Sequence, residues 1–134
     1  MIELGCRTTS GGFRRVKIQV KRVYQAVGPG DGKRILVDRL WPRGLSKAKA
    51  EVDVWIKEIA PSMELRRWYG HDAEKWPEFK NRYHAELDEN AGAVGELILH
   101  IEKDDVTLLF GSREERLNNA FALKEYLESR VRHH

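Results

Sequence analysis

The sequence predicts a small α/β fold, a single compact domain with a mainly parallel sheet flanked by helices. Three segments, residues 16–23, 34–40 and 106–110, are short and rich in apolar residues, as strands are. Longer segments with a helical spacing of apolar residues lie between the second and third of these and after the third. Because strands that alternate with helices are joined by crossover connections, this order favours a parallel sheet.

The bulk composition is that of one globular domain. The chain has 134 residues, of which 41% are hydrophobic, enough to form a core without a metal or a disulfide. We predict a flexible leader over residues 1–14 and a single domain over residues 15–134. Cys6 is the only cysteine and no apolar run approaches the roughly 20 residues of a membrane span, so we expect a cytoplasmic protein with no membrane partner. The final His133 and His134 could be native or part of a tag, and they are assigned no role.

The first two predicted strands differ in pattern. Residues 16–23 alternate strictly, with Val16, Ile18 and Val20 on one face, which indicates a strand with one buried face. Residues 34–40 begin with a continuous apolar run, as expected of a strand covered on both faces.

A helix is predicted next, over residues 47–58, with Ser46 as its N-cap. Within it, the Val-Asp-Val-Trp segment at residues 52–55 could equally be a short strand. Ser62 is predicted to cap a short helix over residues 63–69 that ends at Gly70.

Three longer amphipathic helices complete the prediction. The first has Pro77 in its first turn, where proline is tolerated. The second precedes the strand at residues 106–110, and the third closes the chain. Their apolar stripes are Trp76, Phe79, Tyr83 and Leu87 in the first, Val94, Leu97, Ile98 and Ile101 in the second, and Ala120, Leu123, Leu127 and Val131 in the third.

Two polar loops follow the second and last strands, at residues 38–44 and 111–116. In a parallel sheet both loops project from the same edge, where open α/β sheets bind their ligands. The arginines present donors suited to carboxylate or phosphate, and Gly111 and Ser112, just before a helix, would offer free backbone N–H groups. The loops therefore predict an anion site, although an internal salt-bridge network that pins the two loops together would explain them equally well.

The roles within these loops stay open at this point. Asp38 could orient an arginine or act as a base, and Trp41 could face a ligand ring or close the core. No metal site is predicted, because His71 and His84 are dispersed without ligand spacing. No cofactor motif can be identified either.

The charge is distributed unevenly. Residues 1–50 hold 12 Lys and Arg against 3 Asp and Glu, whereas residues 51–134 hold 12 against 18. An alternative function is therefore nucleic-acid binding through the basic first part of the chain. The simpler explanation is that acidic helices neutralise a basic sheet edge. The basic residues that would contact phosphates are Arg14, Arg15, Lys17, Lys21 and Arg22.

A resemblance is carried by the motif VDRLWPRGLSK. It is followed by W-x-K-E-I-A-P-S-x-E-L-R-x-W and then by G-H-D-x-x-K-W-x-x-F-x-x-R-Y. In these motifs the chain resembles the YeaO-like proteins, a family of small bacterial and archaeal proteins of unknown function, from about residue 16 to residue 127. The resemblance implies an α/β fold and a cytoplasmic location, and it brings no settled activity. Related branches of the wider family place cysteines near the last strand, and this chain has none there.

The resemblance also adds residues to the predicted site. Arg66 and His71 follow the turn at Pro61 and Ser62 and could reach the same sheet edge. The resulting outline is that of an enzyme or ligand-binding domain for a small phosphorylated or carboxylated molecule, with Asp38 and His71 as catalytic candidates. The predicted ligand-binding residues are Arg39, Trp41, Arg43, Arg66, Gly111, Ser112 and Arg113.

Overall fold

One four-stranded sheet organises residues 17–131, the part of the chain that a computed structural model of the protein describes. The strands are β1 (Ile18–Arg22), β2 (Lys33–Leu36), β3 (Val54–Trp55) and β4 (Val106–Phe110). Their order in the sheet is β1-β4-β2-β3, and every pair is parallel, which confirms the predicted α/β class. The predicted leader and the final two histidines lie outside the described residues.

Parallel pairing brings the carboxyl ends of all four strands to one edge of the sheet, called here the carboxyl edge. Val106 pairs with Ile18 of β1 and with Lys33 of β2, so β4 lies in the centre with its neighbours in register. The carboxyl edge is therefore where the loops after Arg22 and Phe110 begin side by side.

Five helices accompany the sheet in the described part of the chain. None of them is long and apolar enough to cross a membrane. They are α1 (Lys47–Ala50), α2 (Met63–Tyr69), α3 (Trp76–Asp88), α4 (Ala91–Lys103) and α5 (Asn119–Val131), with 3-10 turns at Lys57–Ile59 and Ala73–Lys75.

The short helix α2 has the predicted bounds. The Ser62 hydroxyl accepts a hydrogen bond from the backbone N–H of Leu65 at 3.1 Å and caps the helix. Gly70 ends it in the left-handed conformation with φ of 52°. Local sequence signals were therefore sufficient for this element.

The helix predicted over residues 47–58 begins at Lys47 with Ser46 as its N-cap, as expected, but its predicted extent is wrong. The alternative of a short strand within this segment is confirmed by β3. Helix α1 stops after one turn because Glu51 adopts a left-handed conformation with φ of 48°. The chain then pairs with β2, and the side chain of Asp53 accepts the backbone N–H of Arg34 at 2.8 Å. Pairing with a strand distant in sequence outweighs the local helical pattern.

The two faces of the sheet are covered differently. One face packs against α2 to α5 in the main core, which contains Leu108. The other face carries a smaller cluster, formed by Val23, Leu36, Leu109 and residues of the α1 segment. The connections that follow β1 and β2 thus pass over the second face of the sheet. The connection that follows β4 passes over the main face and leads to α5.

A buried ion pair lies on the second face. Arg34 Nη1 donates to Asp31 Oδ2 at 2.6 Å, and its other donors reach the carbonyl oxygens of Glu51 and Ala50 at 2.9 Å each. Lys21 also binds Asp31, at 3.1 Å. Each nitrogen of the Arg34 guanidinium therefore has a hydrogen-bond partner, as expected of a buried charge.

Candidate functional site

The topology predicts a crevice on each side of β4 at the carboxyl edge, because the connection from β4 packs in the main core and those from β1 and β2 pack in the smaller cluster. Such switch points are where open α/β sheets bind their ligands. We call the crevice between β2 and β4 the Asp38 crevice, formed by Asp38, Gly111 and Asn119. The opening between β1 and β4 is called the Arg22 cavity, and its lining is described below.

The Asp38 crevice is filled by its own side chains. Asp38 Oδ2 accepts the backbone N–H of Gly111 at 2.8 Å, and Oδ1 accepts Asn119 Nδ2 at 3.1 Å. Burial raises the pKa of Asp38 above its ordinary value, although the Gly111 and Asn119 hydrogen bonds and the positive charge of Arg66 act in the opposite direction. Both carboxylate oxygens thus accept hydrogen bonds, which tie the two loops together without the salt bridges that the sequence analysis considered for this role.

Arg39, the residue after Asp38, has a buried side-chain donor without a hydrogen-bond partner in the described part of the chain. Its Nη2 reaches the carbonyl oxygen of Ala60 at 3.4 Å, whereas its Nε is buried without a hydrogen-bond partner. A buried donor without an acceptor destabilises the folded state. The side chain of Arg66, in contrast, is exposed and near enough to Asp38 to affect its pKa.

The two tryptophans of this region serve the loop itself. Trp41 Nε1 donates to the carbonyl oxygen of Leu45 at 2.6 Å, and Trp55 Nε1 donates to that of Asp38 at 2.8 Å. Their rings pack edge to face with centroids 5.5 Å apart. Of the two roles open for Trp41, these contacts favour packing. The neighbouring Arg43 is exposed, and its carbonyl oxygen accepts the Tyr24 hydroxyl at 2.8 Å.

The loop after β4 does not lead directly into a helix, which corrects one expectation. Helix α5 begins only at Asn119, so Gly111 and Ser112 do not lie at a helix N-terminus. The Gly111 N–H is taken by Asp38, and the Ser112 hydroxyl accepts the N–H of Glu114 at 3.0 Å. Arg113 is exposed. The carboxylate of Glu114 accepts the backbone N–H groups of Arg116 and Leu117, so this residue stabilises the connection before α5 and does not begin the helix.

His71 is placed near Glu114. The histidine is exposed, has a left-handed backbone with φ of 60°, and lies 6.0 Å from the Tyr69 ring. The pKa of Glu114 is lowered chiefly by the backbone N–H groups of Arg116 and Leu117, and also by the charge of His71. No hydrogen bond joins His71 to Asp38, so the two catalytic candidates do not form an acid–base pair.

The Arg22 cavity is open and has a volume of about 290 Å³. Its apolar lining consists of Val20, Phe110 and Phe121. Its basic lining consists of Lys21, Arg22 and Arg116, with Gln25 and Glu115 completing the wall. None of the sequence-predicted ligand-binding residues lines it.

Arg22 is held firmly in this cavity. Its Nε donates to the carbonyl oxygen of Ser112 at 2.9 Å, and its guanidinium lies 4.7 Å from the centroid of the Tyr24 ring. No acceptor for its terminal Nη groups is found within residues 17–131. The sequence carried a signal for this residue, since Arg22 occupies the same strand face as Ile18 and Val20 and breaks the apolar alternation.

The basic residues proposed for nucleic-acid contact are partly committed elsewhere. Lys21 is paired with Asp31, and Arg22 is anchored to Ser112. Arg14 and Arg15 lie outside the described residues. Within the described range, no group of three or more His, Cys, Asp or Glu side chains is arranged to hold a metal ion.

Comparison with known proteins places the chain in a family. A family model described as the inactive DUF488-N3 subclade matches residues 17–134. The chain belongs to this family. The match covers all four strands and all five helices described above.

The chain matches curated relatives over nearly their whole length. The chain is 40% identical over 114 residues to the uncharacterized protein YeaO of Escherichia coli K12, covering 85% of this chain and 99% of that protein. It is also 40% identical over 117 residues to uncharacterized proteins of Mycobacterium tuberculosis and Mycobacterium bovis, covering 87% of this chain and 98% of each. The resemblance to YeaO-like proteins is thereby confirmed. No solved structure matches the chain.

Proposed function

We propose that this protein is a non-catalytic domain that binds a small anionic molecule, bearing a phosphate or a carboxylate, in the Arg22 cavity. The observation that carries the proposal is the anchoring of Arg22 by Ser112 at 2.9 Å and by the Tyr24 ring at 4.7 Å. A guanidinium held in one orientation loses little entropy when it binds an oxyanion through two parallel hydrogen bonds. Its terminal N–H groups have no acceptor among residues 17–131, so they are available for such binding.

The charge of the cavity supports an anionic ligand. Three basic side chains and one acidic side chain line it. Lys21 is largely neutralised by Asp31, which leaves Arg22 and Arg116 against Glu115. A small surplus of positive charge in a partly enclosed site attracts anions.

A binding role is proposed rather than an enzymatic one for three reasons. The family model is described as an inactive subclade. Both oxygens of Asp38 are already hydrogen-bonded, and His71 is not joined to it. The only cysteine, Cys6, precedes the matched region, so no thiol nucleophile lies within it. We also propose a cytoplasmic location, because a single cysteine cannot form an internal disulfide.

The proposal is tested by thermal unfolding in phosphate-free buffer with inorganic phosphate, acetate or a short DNA duplex. At a ligand concentration of about 100 times Kd, binding adds about 2.7 kcal/mol of stability, or roughly 5–10 °C in Tm. We expect a small anion to raise Tm in the wild type and in Arg67→Gln. Arg67 is a matched control, because it is exposed and contacts Met63 rather than the cavity.

The variants of Arg22 decide the outcome. Arg22→Gln should lose the response to the anion relative to its own ligand-free Tm, and Arg22→Lys should retain only part of it, because lysine keeps the charge but lacks the planar fork. A full response in Arg22→Gln, or no response to any small anion in the wild type, would refute the proposal. A response to DNA alone would favour the nucleic-acid alternative.

A further inference from the structure

We infer that the ligand of the Arg22 cavity carries its anionic group on a flat apolar body such as a single aromatic ring. This inference rests on the proposed function, since it concerns the same cavity. It goes further because it assigns the part of the ligand that the guanidinium does not contact.

The lining places an apolar surface beside the cationic one. Val20 and Arg22 are two residues apart on β1, so their side chains lie on the same face of the sheet. Phe110 of β4 is the direct register partner of Arg22. Phe121, from the first turn of α5, lines the same cavity. A group bound to the Arg22 fork is therefore next to three apolar side chains.

The accessible part of this surface comes from two of the three residues. Phe110 is only 2% exposed, whereas Val20 and Phe121 are half-buried. An inorganic anion on Arg22 would leave these side chains in contact with water. A ligand with an apolar body would remove that surface from water, which is the larger source of affinity for small molecules.

The size and the remaining wall limit the body of the ligand. A volume of about 290 Å³ lies at the lower end of small-molecule pockets, so it suits one ring with its anionic group rather than a dinucleotide. Glu115 lines the same wall and disfavours a second anionic group near it. The ligand class is accordingly a monocyclic compound with one phosphate or carboxylate.

The test compares phenyl phosphate with methyl phosphate by isothermal titration calorimetry. Both probes carry the same monoester phosphate, so only the apolar body differs. We expect phenyl phosphate to bind about tenfold more tightly or better, from burial of the ring. Phe121→Ala should remove most of this preference while changing the affinity for methyl phosphate by less than about twofold. Arg22→Gln should weaken the binding of both probes.

The outcomes separate the two proposals. If methyl and phenyl phosphate bind equally well, this inference is overturned and the proposed anion site stands. If neither binds, both proposals are overturned. Should Phe121→Ala fail to fold, nuclear Overhauser contacts between the phenyl protons and the Val20 methyl groups in the wild type replace it, and their absence overturns the inference.

Discussion

The carboxylate of Asp38 and the backbone N–H of Gly111 form a 2.8 Å hydrogen bond that ties the loop after β2 to the first residue after β4. Asn119, at the start of α5, binds the other oxygen of the same carboxylate. Ser112, which follows Gly111 in the chain, accepts a hydrogen bond from Arg22 Nε through its carbonyl oxygen. Asp38 thus fixes the segment that in turn holds Arg22, so one crevice supports the other.

The Asp38 network can be tested by truncation. Asp38→Ala leaves the Gly111 N–H and the Asn119 amide without their acceptor, so we expect the free energy of unfolding to fall by about 2–3 kcal/mol. Urea denaturation measures this change. Glu96→Ala, an exposed acid on α4, is the control and should stay within about 0.5 kcal/mol of the wild type. A loss below that value for Asp38→Ala would mean that the network does not stabilise the loops.

Acid should weaken the fold through Asp31. Burial alone would raise the pKa of Asp31, but hydrogen bonds from Gly28, Lys21 and Arg34 together lower it below its ordinary value of 3.8. A carboxyl with a lowered pKa contributes stability above its unfolded pKa and loses that contribution as the pH falls through the folded pKa. The unfolding free energy should therefore drop below about pH 4, and in Asp31→Asn this part of the drop should be absent.

Asp38 should give the opposite pH dependence. Its pKa is raised mainly by burial, so its contribution is present below the unfolded pKa, with an ordinary value of 3.8, and is lost as the pH rises through the folded pKa. Measured by urea denaturation between about pH 3 and 7, the wild type should lose some stability with rising pH in this range that Asp38→Asn does not lose. Identical pH slopes in the two proteins would contradict the assigned direction.

The elements that could be predicted from the sequence are those fixed by contacts between residues close together in the chain. Ser62 and Gly70 bound α2 through contacts within one or two turns, and the prediction of that helix was confirmed. The extent of the helix at residues 47–58 was predicted wrongly, because the hydrogen bond from Arg34 Nε to the Glu51 carbonyl oxygen and the pairing of β3 with β2 involve residues distant in sequence. Local periodicity carries no information on such pairing.

The candidate site shows the same division. The sequence analysis correctly predicted that Asp38 and Gly111 lie close together, because the carboxyl ends of parallel strands lie at the same edge of a sheet. It could not show that Asn119 and Gly111 occupy both carboxylate oxygens, since these contacts span 81 and 73 positions of the chain. Arg22 was considered only for nucleic acid, although its place on the apolar face of β1 pointed to the cavity.

The N-cap of α2 is a further test of the fold around the carboxyl edge. The Ser62 hydroxyl accepts the Leu65 N–H at 3.1 Å and donates to Glu86 Oε2 at 2.6 Å, so it joins α2 to α3. Ser62→Ala should lower the free energy of unfolding by about 1–2 kcal/mol. Ser62→Asp keeps a capping acceptor but sets a second carboxylate against Glu86, so it should not restore stability. Full stability of Ser62→Asp would show that the hydroxyl contact with Glu86 adds nothing, since the Ser62 backbone N–H also donates to Glu86 Oε1 and is kept in the variant.

Two glycine-to-alanine substitutions should change stability in opposite directions. Gly32 has φ of +64°, and a Cβ there would lie 2.3 Å from the carbonyl oxygen of Asp105, which also accepts the Lys33 N–H. Gly32→Ala therefore strains the backbone and displaces the start of the β2–β4 pairing, and we expect a loss of more than about 2 kcal/mol. Gly95, within α4, has no atom within 4 Å of such a Cβ, so Gly95→Ala should add about 0.5–1 kcal/mol through helix propensity. Urea denaturation of both variants checks the pair, and a Gly32→Ala protein as stable as the wild type would contradict the close approach of Gly32 to Asp105.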